Sequence, residues 1–302
     1  MIDFKLRHKL ISSLNDFNVI GIRGFTQKIL PKLLIPKPSE GQFFIKTIYG
    51  FLMKIDPTKD NGIERSLYYT GTYEKGSLDV LKNVLKKGDV FIDVGANIGM
   101  MSVFASEVVG DSGKVIAFEP NPVTRTILTE NIEKNGLSNV IVSEFAIGAK
   151  EETTVIYDRW DANRGCATLI KPDFETDSYD IKVTTLSGFL EDNTNPDMIK
   201  IDVEGYELEV LKGVVDLMQS ENAPMLMVEY SDLRVNMVEG NTHEIYDYIK
   251  NSNDYKFYKN AGTKARVSKL VEIKTHEDLP KHDNIYCFMS YHIAKMDNTI
   301  FE

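Results

Sequence analysis

The stretch that most constrains this chain is Asp89-Val90-Phe91-Ile92-Asp93-Val94-Gly95-Ala96-Asn97-Ile98-Gly99. An apolar run reaches an acidic residue, two glycines bracket a turn, and Met100 to Ala105 reads as the opening of a helix. Strand, glycine loop and helix in this order predict a nucleotide cradle at the carboxyl edge of a parallel sheet, and so an α/β fold. In that reading Gly95 and Gly99 remove side chains that would hold a ligand off the backbone. Asp93, at the strand's end, accepts hydrogen bonds from a polar or cationic ligand and disfavours a phosphate.

Two ligands compete for such a cradle. The dinucleotide fingerprint is G-x-G-x-x-G, whereas Gly95 to Gly99 reads G-x-x-x-G preceded by an acid, a spacing that favours S-adenosylmethionine over NAD. Lys114 to Glu119 is a second strand ending in a carboxylate, 20 residues past Gly99, where a ribose diol would sit. Either ligand would use Glu119, so that residue does not choose between them. The end of the chain does. After five βα-type units, Tyr255 to Tyr258 and Asn284 to Ser290 read as a closing β-β pair, the feature that separates a methyltransferase sheet from a dehydrogenase sheet. The expected architecture is a mostly parallel seven-stranded sheet of Rossmann-like, class I methyltransferase type. Helices cover both faces and an antiparallel hairpin closes the C-terminal side.

Charge narrows the partners. The 302 residues carry a net charge of −10, which argues against wholesale attraction to nucleic acid. Residues 1–40 run the other way: seven basic against three acidic residues give +4 there and leave −14 for the rest. That asymmetry marks a separable N-terminal extension, set at residues 1–72, ahead of a catalytic domain at 73–302. Phe4, Leu6, Leu10, Ile11 and Leu14 stand at near-helical spacing, and apolar positions from Phe25 to Leu34 continue the pattern, with breaks expected at Pro31 and Pro36. A basic amphipathic segment of this kind suits packing on the catalytic domain, a second subunit in a homodimer, or an acidic membrane surface. Cys166 and Cys287 are too few for a disulfide framework, and the five histidines show no zinc spacing. No metal site is expected, and a reducing, cytoplasmic setting is.

Further along, Gln42 to Asp56 predicts a hairpin around Tyr49-Gly50. Tyr73 and Glu74 precede a helix expected over Ser77 to Lys86, with Ser77 as its N-cap. They are placed either to cover the methionine end of the cofactor or to pin that helix. Ala146 follows the third strand, where a loop would lie over the adenine. The polar loop Asp158 to Asp180 carries Trp160, Asn163, Arg164 and Cys166, an insertion suited to shaping an acceptor pocket, with Trp160 a stacking surface for a sugar. In Met198 to Glu207 the charges Lys200, Asp202 and Glu204 alternate, which on a strand sends them to one side. A buried sheet tolerates such charges only as pairs, so they are expected to meet one another or project into a cleft. Asp202 or Glu204 is the expected general base, with Lys200 tuning it; a weaker variant has Asp202, Glu204 and Glu229 hold Mg²⁺.

Tyr73-Glu74, Asp93 to Gly99, Glu119-Pro120, Thr185-Leu186 and Ile199-Lys200-Ile201-Asp202-Val203-Glu204-Gly205-Tyr206-Glu207 make the chain resemble the FkbM family of S-adenosylmethionine-dependent methyltransferases, from about Tyr73 to Glu229. The resemblance implies a class I methyltransferase fold and methylation of hydroxyl groups on polyketides, sugars and related small molecules. With the residue reading it assigns Tyr73, Glu74, Asp93, Gly95, Ala96, Asn97, Gly99, Glu119, Pro120 and Ala146 to the cofactor. One departure is Ser187, where the family usually has aspartate; a serine still caps the following helix. The rivals are a non-catalytic nucleoside-binding protein on the same fold and an NAD-dependent oxidoreductase.

Overall fold

The computed structural model describes residues 3–16, 25–158, 167–190, 194–231 and 243–302. The first strands, β1 (Phe43–Lys46) and β2 (Leu52–Ile55), form the expected hairpin, which turns through Gly50 at φ +111°. Next come β3 (Val90–Val94), β4 (Lys114–Phe118) and β5 (Val140–Ser143), with helices Met100–Val109 and Pro122–Lys134 between them. A separate three-stranded sheet holds β6 (Ala146–Ile147), β7 (Glu152–Tyr157) and β8 (Ser178–Thr184). The chain then returns through β9 (Met198–Ile201), β10 (Met225–Ser231), β11 (Lys256–Asn260), β12 (Leu270–Ile273) and β13 (His282–Phe288).

The main sheet has eight strands in the order β12-β11-β13-β10-β9-β3-β4-β5. Pairing is parallel from β5 to β10 and antiparallel from β13 outward. Seven strands were expected; the eighth is β12, an edge strand paired with β11. Its four residues, Leu-Val-Glu-Ile between Lys269 and Lys274, are short and charge-flanked in the manner of protected edges, which leaves little apolar signal to read.

Alternation along the central strands divides the interior. Phe91 joins a core with Leu78, Leu81, Val103 and Leu128, from the helices Lys75–Val84, Met100–Val109 and Pro122–Lys134. Ile92 and Val94 join the other, with Val210, Leu211, Met218 and Ile249, from the helices Glu207–Gly213, Val215–Met218 and Glu244–Ser252. Helices therefore cover both faces. The winding reverses at β3, with β4 on one side and β9 on the other. A crevice at the strands' carboxyl ends is the consequence.

Residues of the 1–72 segment are built into the first core: Ile11, Ile35, Ile45, Met53 and Leu67 are buried with Phe91 and Met100. Asn131 Oδ1 accepts from the Lys54 N–H at 2.6 Å, and the Asn135 amide bonds both the N–H and the C=O of Leu52, so β2 lies along the helix Pro122–Lys134. Pro31 does not interrupt a helix. It sits in the first turn of Leu30–Leu34, where a missing N–H leaves no bond unmade.

Two expected caps fall elsewhere. The helix foreseen from Ser77 starts at Lys75 behind Glu74, while the Ser77 hydroxyl is buried, donating to Glu74 and accepting from Asn284 and Tyr286. The first-turn N–H groups of Gly76 and Ser77 instead donate to the Lys264 carbonyl. Ser187 is exposed, and Thr185 caps its helix by accepting from the Gly188 N–H at 3.0 Å.

Candidate active site

A crevice open to solvent lies above β3, β4, β9 and β10, with apolar and polar side chains converging on it. Tyr73, Gly95, Ala96, Asn97, Glu119, Pro120 and Ala146 of the expected cofactor set line it, as do Lys200, Asp202 and Glu204 of the expected catalytic set. Glu74, Asp93 and Gly99 stand behind the wall. Asp202 and Glu119 thus share one crevice, because parallel strands deliver their carboxyl ends to the same edge of the sheet.

Asp93 is fully buried; Ser102 Oγ donates to its Oδ2 at 2.6 Å, and Lys200 Nζ lies 3.2 Å from its Oδ1. Lys200 also donates to the Gly95 carbonyl at 2.7 Å. Burial works to lower the Lys200 pKa, but the charges of Asp93 and Asp202 outweigh it and hold the ammonium above its usual value. Asp93 thus acts through Lys200 to fix the glycine loop.

The two glycines also serve the chain itself. A Cβ on Gly95, at φ +78°, would collide with the Asp202 carbonyl oxygen, and one on Gly99, at φ +89°, with Leu128. Gly95 lets the loops after β3 and β9 close on one another. Gly99 admits the helix Pro122–Lys134. Both conformations are left-handed, a region cheap for glycine alone.

Three non-glycine residues among those described share that region: Glu74 at φ +44°, Asn97 at +53° and Glu204 at +55°. Each lies on a turn that forms the site, and each carries strain of about 1 kcal/mol or more unless its surroundings enforce it. The enforcement is visible at Asn97, whose N–H donates to Glu119 Oε2 at 2.8 Å. Glu119 Oε1 accepts from the Asn121 N–H at 2.9 Å.

Burial pushes the Glu119 carboxyl up from 4.5 to about 7, although these N–H bonds act the other way. Between those two values the folded chain binds a proton that the unfolded chain has released. The contribution of Glu119 to stability therefore falls as pH rises through that window. A ligand donating hydroxyls to Glu119 draws it to the ionised form, so its binding releases the proton.

The acceptor end is acidic. Asp202, Glu204 and Glu229 each bring a carboxylate oxygen within 4.8 Å of the others. Asp202 has a quarter of its side chain exposed and lies 3.7 Å from Lys200 Nζ; burial, then the Glu229 charge, raises its pKa. Glu229, on β10, lies 2.8 Å from Lys264 Nζ, which is also 2.8 Å from Glu74. Burial opposes the Lys264 charge, but Glu74, Glu229 and Asp202 more than reverse it. Burial and then Glu74 raise the Tyr73 hydroxyl well above its ordinary value, which keeps it a neutral donor. The carboxylates of the weaker metal-assisted variant thus already sit beside cations, Lys264 at Glu229 and Lys200 at Asp202.

Strand alternation was the wrong reason for a correct grouping. β9 ends at Ile201, so Lys200 alone belongs to the strand; Asp202 and Glu204 reach the crevice from the loop beyond. Glu207 holds that loop, its Oε1 accepting from the N–H groups of Val203 and Gly205 at 3.3 and 3.0 Å. Sequence reasoning missed Lys264 altogether. Trp160, Asn163, Arg164 and Cys166 lie outside the described residues.

A doubly wound sheet closed by antiparallel strands, with carboxylates after β4 and β9 and on β10 lining one crevice, is the class I methyltransferase fold. Residues 93–257, more than half of the chain, match the family model described as Methyltransferase FkbM domain, and the chain belongs to that family. Among its relatives, the hexuronic acid methyltransferase AglP of Haloferax volcanii is 32% identical over 155 residues, 49% of this chain and 60% of that protein. The methyltransferase sdnD of Sordaria araneosa is 27% identical over 183 residues, 50% of this chain and 70% of that protein. The match thus spans about three fifths of the archaeal relative. The M. jannaschii TYW2 structure with AdoMet is 16% identical, with a TM-score of 0.42, and is covered over 87% of its length by 84% of this chain. The cofactor of the family is S-adenosylmethionine. Glu74 and Lys264 fall outside the matched residues.

Proposed function

We propose that this protein methylates a hydroxyl group of a neutral sugar, glycan or similar polyol. The observation that carries the reading is the charge of the acceptor end, where Asp202, Glu204 and Glu229 bring carboxylate oxygens within 4.8 Å of one another, with Lys200 beside Asp202 and Lys264 beside Glu229. A hydroxyl can donate to such a surface, while a carboxylate acceptor is repelled by it.

The cofactor would be held with its ribose on Glu119 and its adenine against Ala146 and Phe145, residues whose acceptor and apolar chemistry fits those parts. Bound there, S-adenosylmethionine supplies an electrophilic methyl on a sulfonium. The chain's own task is to hold the acceptor oxygen in line and remove its proton. Asp202 takes that proton. Its raised pKa brings it closer to working pH than an ordinary aspartate, and Lys200 and Glu229 set how far.

The likeness to a hexuronic acid methyltransferase supports a second reading, transfer to a sugar carboxylate. Incubating the chain with a neutral hexoside and with the matching hexuronoside separates the two. The expected product is the neutral sugar carrying one added methyl that survives mild alkali, as an ether does. A product formed only from the hexuronoside, and cleaved by alkali as an ester, would overturn the proposal.

A further inference from the structure

Large exposed hydrophobics concentrate at the N-terminal end. Of eight among the described residues, five are Leu6, Leu10, Phe25, Ile29 and Leu33, with Leu6 at 85% and Leu33 at 69% exposure. The helix Lys5–Asp16 turns His8 and Ile11 inward, where His8 Nε2 donates to the Tyr68 carbonyl at 2.9 Å. Leu6 and Leu10, one turn apart, face the other way. Arg7 donates to the Leu34 carbonyl at 2.9 Å and so ties this helix to Leu30–Leu34, which carries Leu33. Lys5, Arg7, Lys9, Lys32 and Lys37 are exposed in the same layer, against Asp3 and Glu40.

From this face we infer that the N-terminal helical layer docks on an anionic lipid surface, a property beyond the methyl-transfer reading and independent of it. The apolar side chains enter the headgroup boundary while the lysines and arginine meet lipid phosphates. A second copy of the chain fits less well, since self-pairing would oppose two basic layers and the centres of homodimer interfaces are depleted in lysine. Residues beyond 40 carry −14 and are repelled by the same surface, which orients the molecule with this layer toward the lipid. The contact is interfacial, because no helix of the described residues is long and apolar enough to cross a membrane.

Co-sedimentation of the full chain with phosphatidylcholine vesicles, with and without phosphatidylglycerol, tests this. Binding is expected only to the anionic vesicles, and weaker at high than at low salt. Leu6→Glu/Leu33→Glu and Lys5→Glu/Lys9→Glu/Lys32→Glu should each reduce the bound fraction about tenfold or more, with the melting temperature nearly unchanged because these positions are exposed. Three results would overturn the inference: no sedimentation of the native chain with anionic vesicles, equal sedimentation of the variants, or a concentration-dependent dimer that Leu6→Glu/Leu33→Glu dissolves while vesicles stay unbound.

Discussion

Asp202→Asn is expected to slow turnover by about 10²- to 10⁴-fold, the range a positioned general base supplies, while S-adenosylhomocysteine affinity stays within a few-fold. The substitution keeps the shape of the side chain, and the Asp202 N–H still donates to the Val94 carbonyl at 3.1 Å. The close approach of Gly95 to the Asp202 carbonyl is also untouched, so the glycine loop keeps its form. What disappears is the capacity to take a proton between Lys200 and Glu229. Single-turnover kinetics beside calorimetric titration separates the two effects; near-native turnover would remove Asp202 from the chemistry.

The other large effect belongs to a residue far from the motifs. Lys264→Met should cost about 3–5 kcal/mol of stability in urea unfolding, because it leaves Glu74 and Glu229 buried without their shared cation. The sign of its pH dependence follows. Stranded carboxylates have raised pKa values in the folded state, so the variant should regain part of the loss as pH falls and they take up protons. Lys264→Met/Glu229→Gln should recover stability at neutral pH by removing one of the stranded charges. A loss below about 1 kcal/mol in the single variant would mean the ion pairs are no better than surface ones.

Lys264 also marks where sequence reading ran out. Strand-end carboxylates were legible because apolar runs announce β3, β4, β9 and β10, and a parallel sheet fixes the edge at which they emerge. Asp93, Glu119 and Asp202 each end or follow such a run. Lys264 follows no run: it sits in a polar loop between β11 and β12, and only the antiparallel return of β13 beside β10 brings that loop to Glu229 and Glu74. No local pattern encodes a pairing of residues 35 and 190 positions apart.

The glycines show a different limit. Their spacing announced a tight turn, yet the sequence could not say whether the space they leave belongs to a ligand or to the chain. At Gly95 and Gly99 the chain itself uses that space, through the Asp202 carbonyl and Leu128, while Gly95 also lines the crevice. The positive φ of Glu74 and Glu204 had no signal either, since glutamate carries no local preference for that region.

The central claim is that these strand ends form one crevice for a sulfonium nucleoside, with Glu119 on the ribose. Calorimetric titration of the full chain with S-adenosylhomocysteine at pH 8 and pH 6, with NADH as control, tests it most directly. Saturable binding of S-adenosylhomocysteine is expected, about tenfold weaker at pH 6 because Glu119, raised to about 7, must first lose its proton. NADH should give no heat. Binding of NADH without S-adenosylhomocysteine would contradict the account.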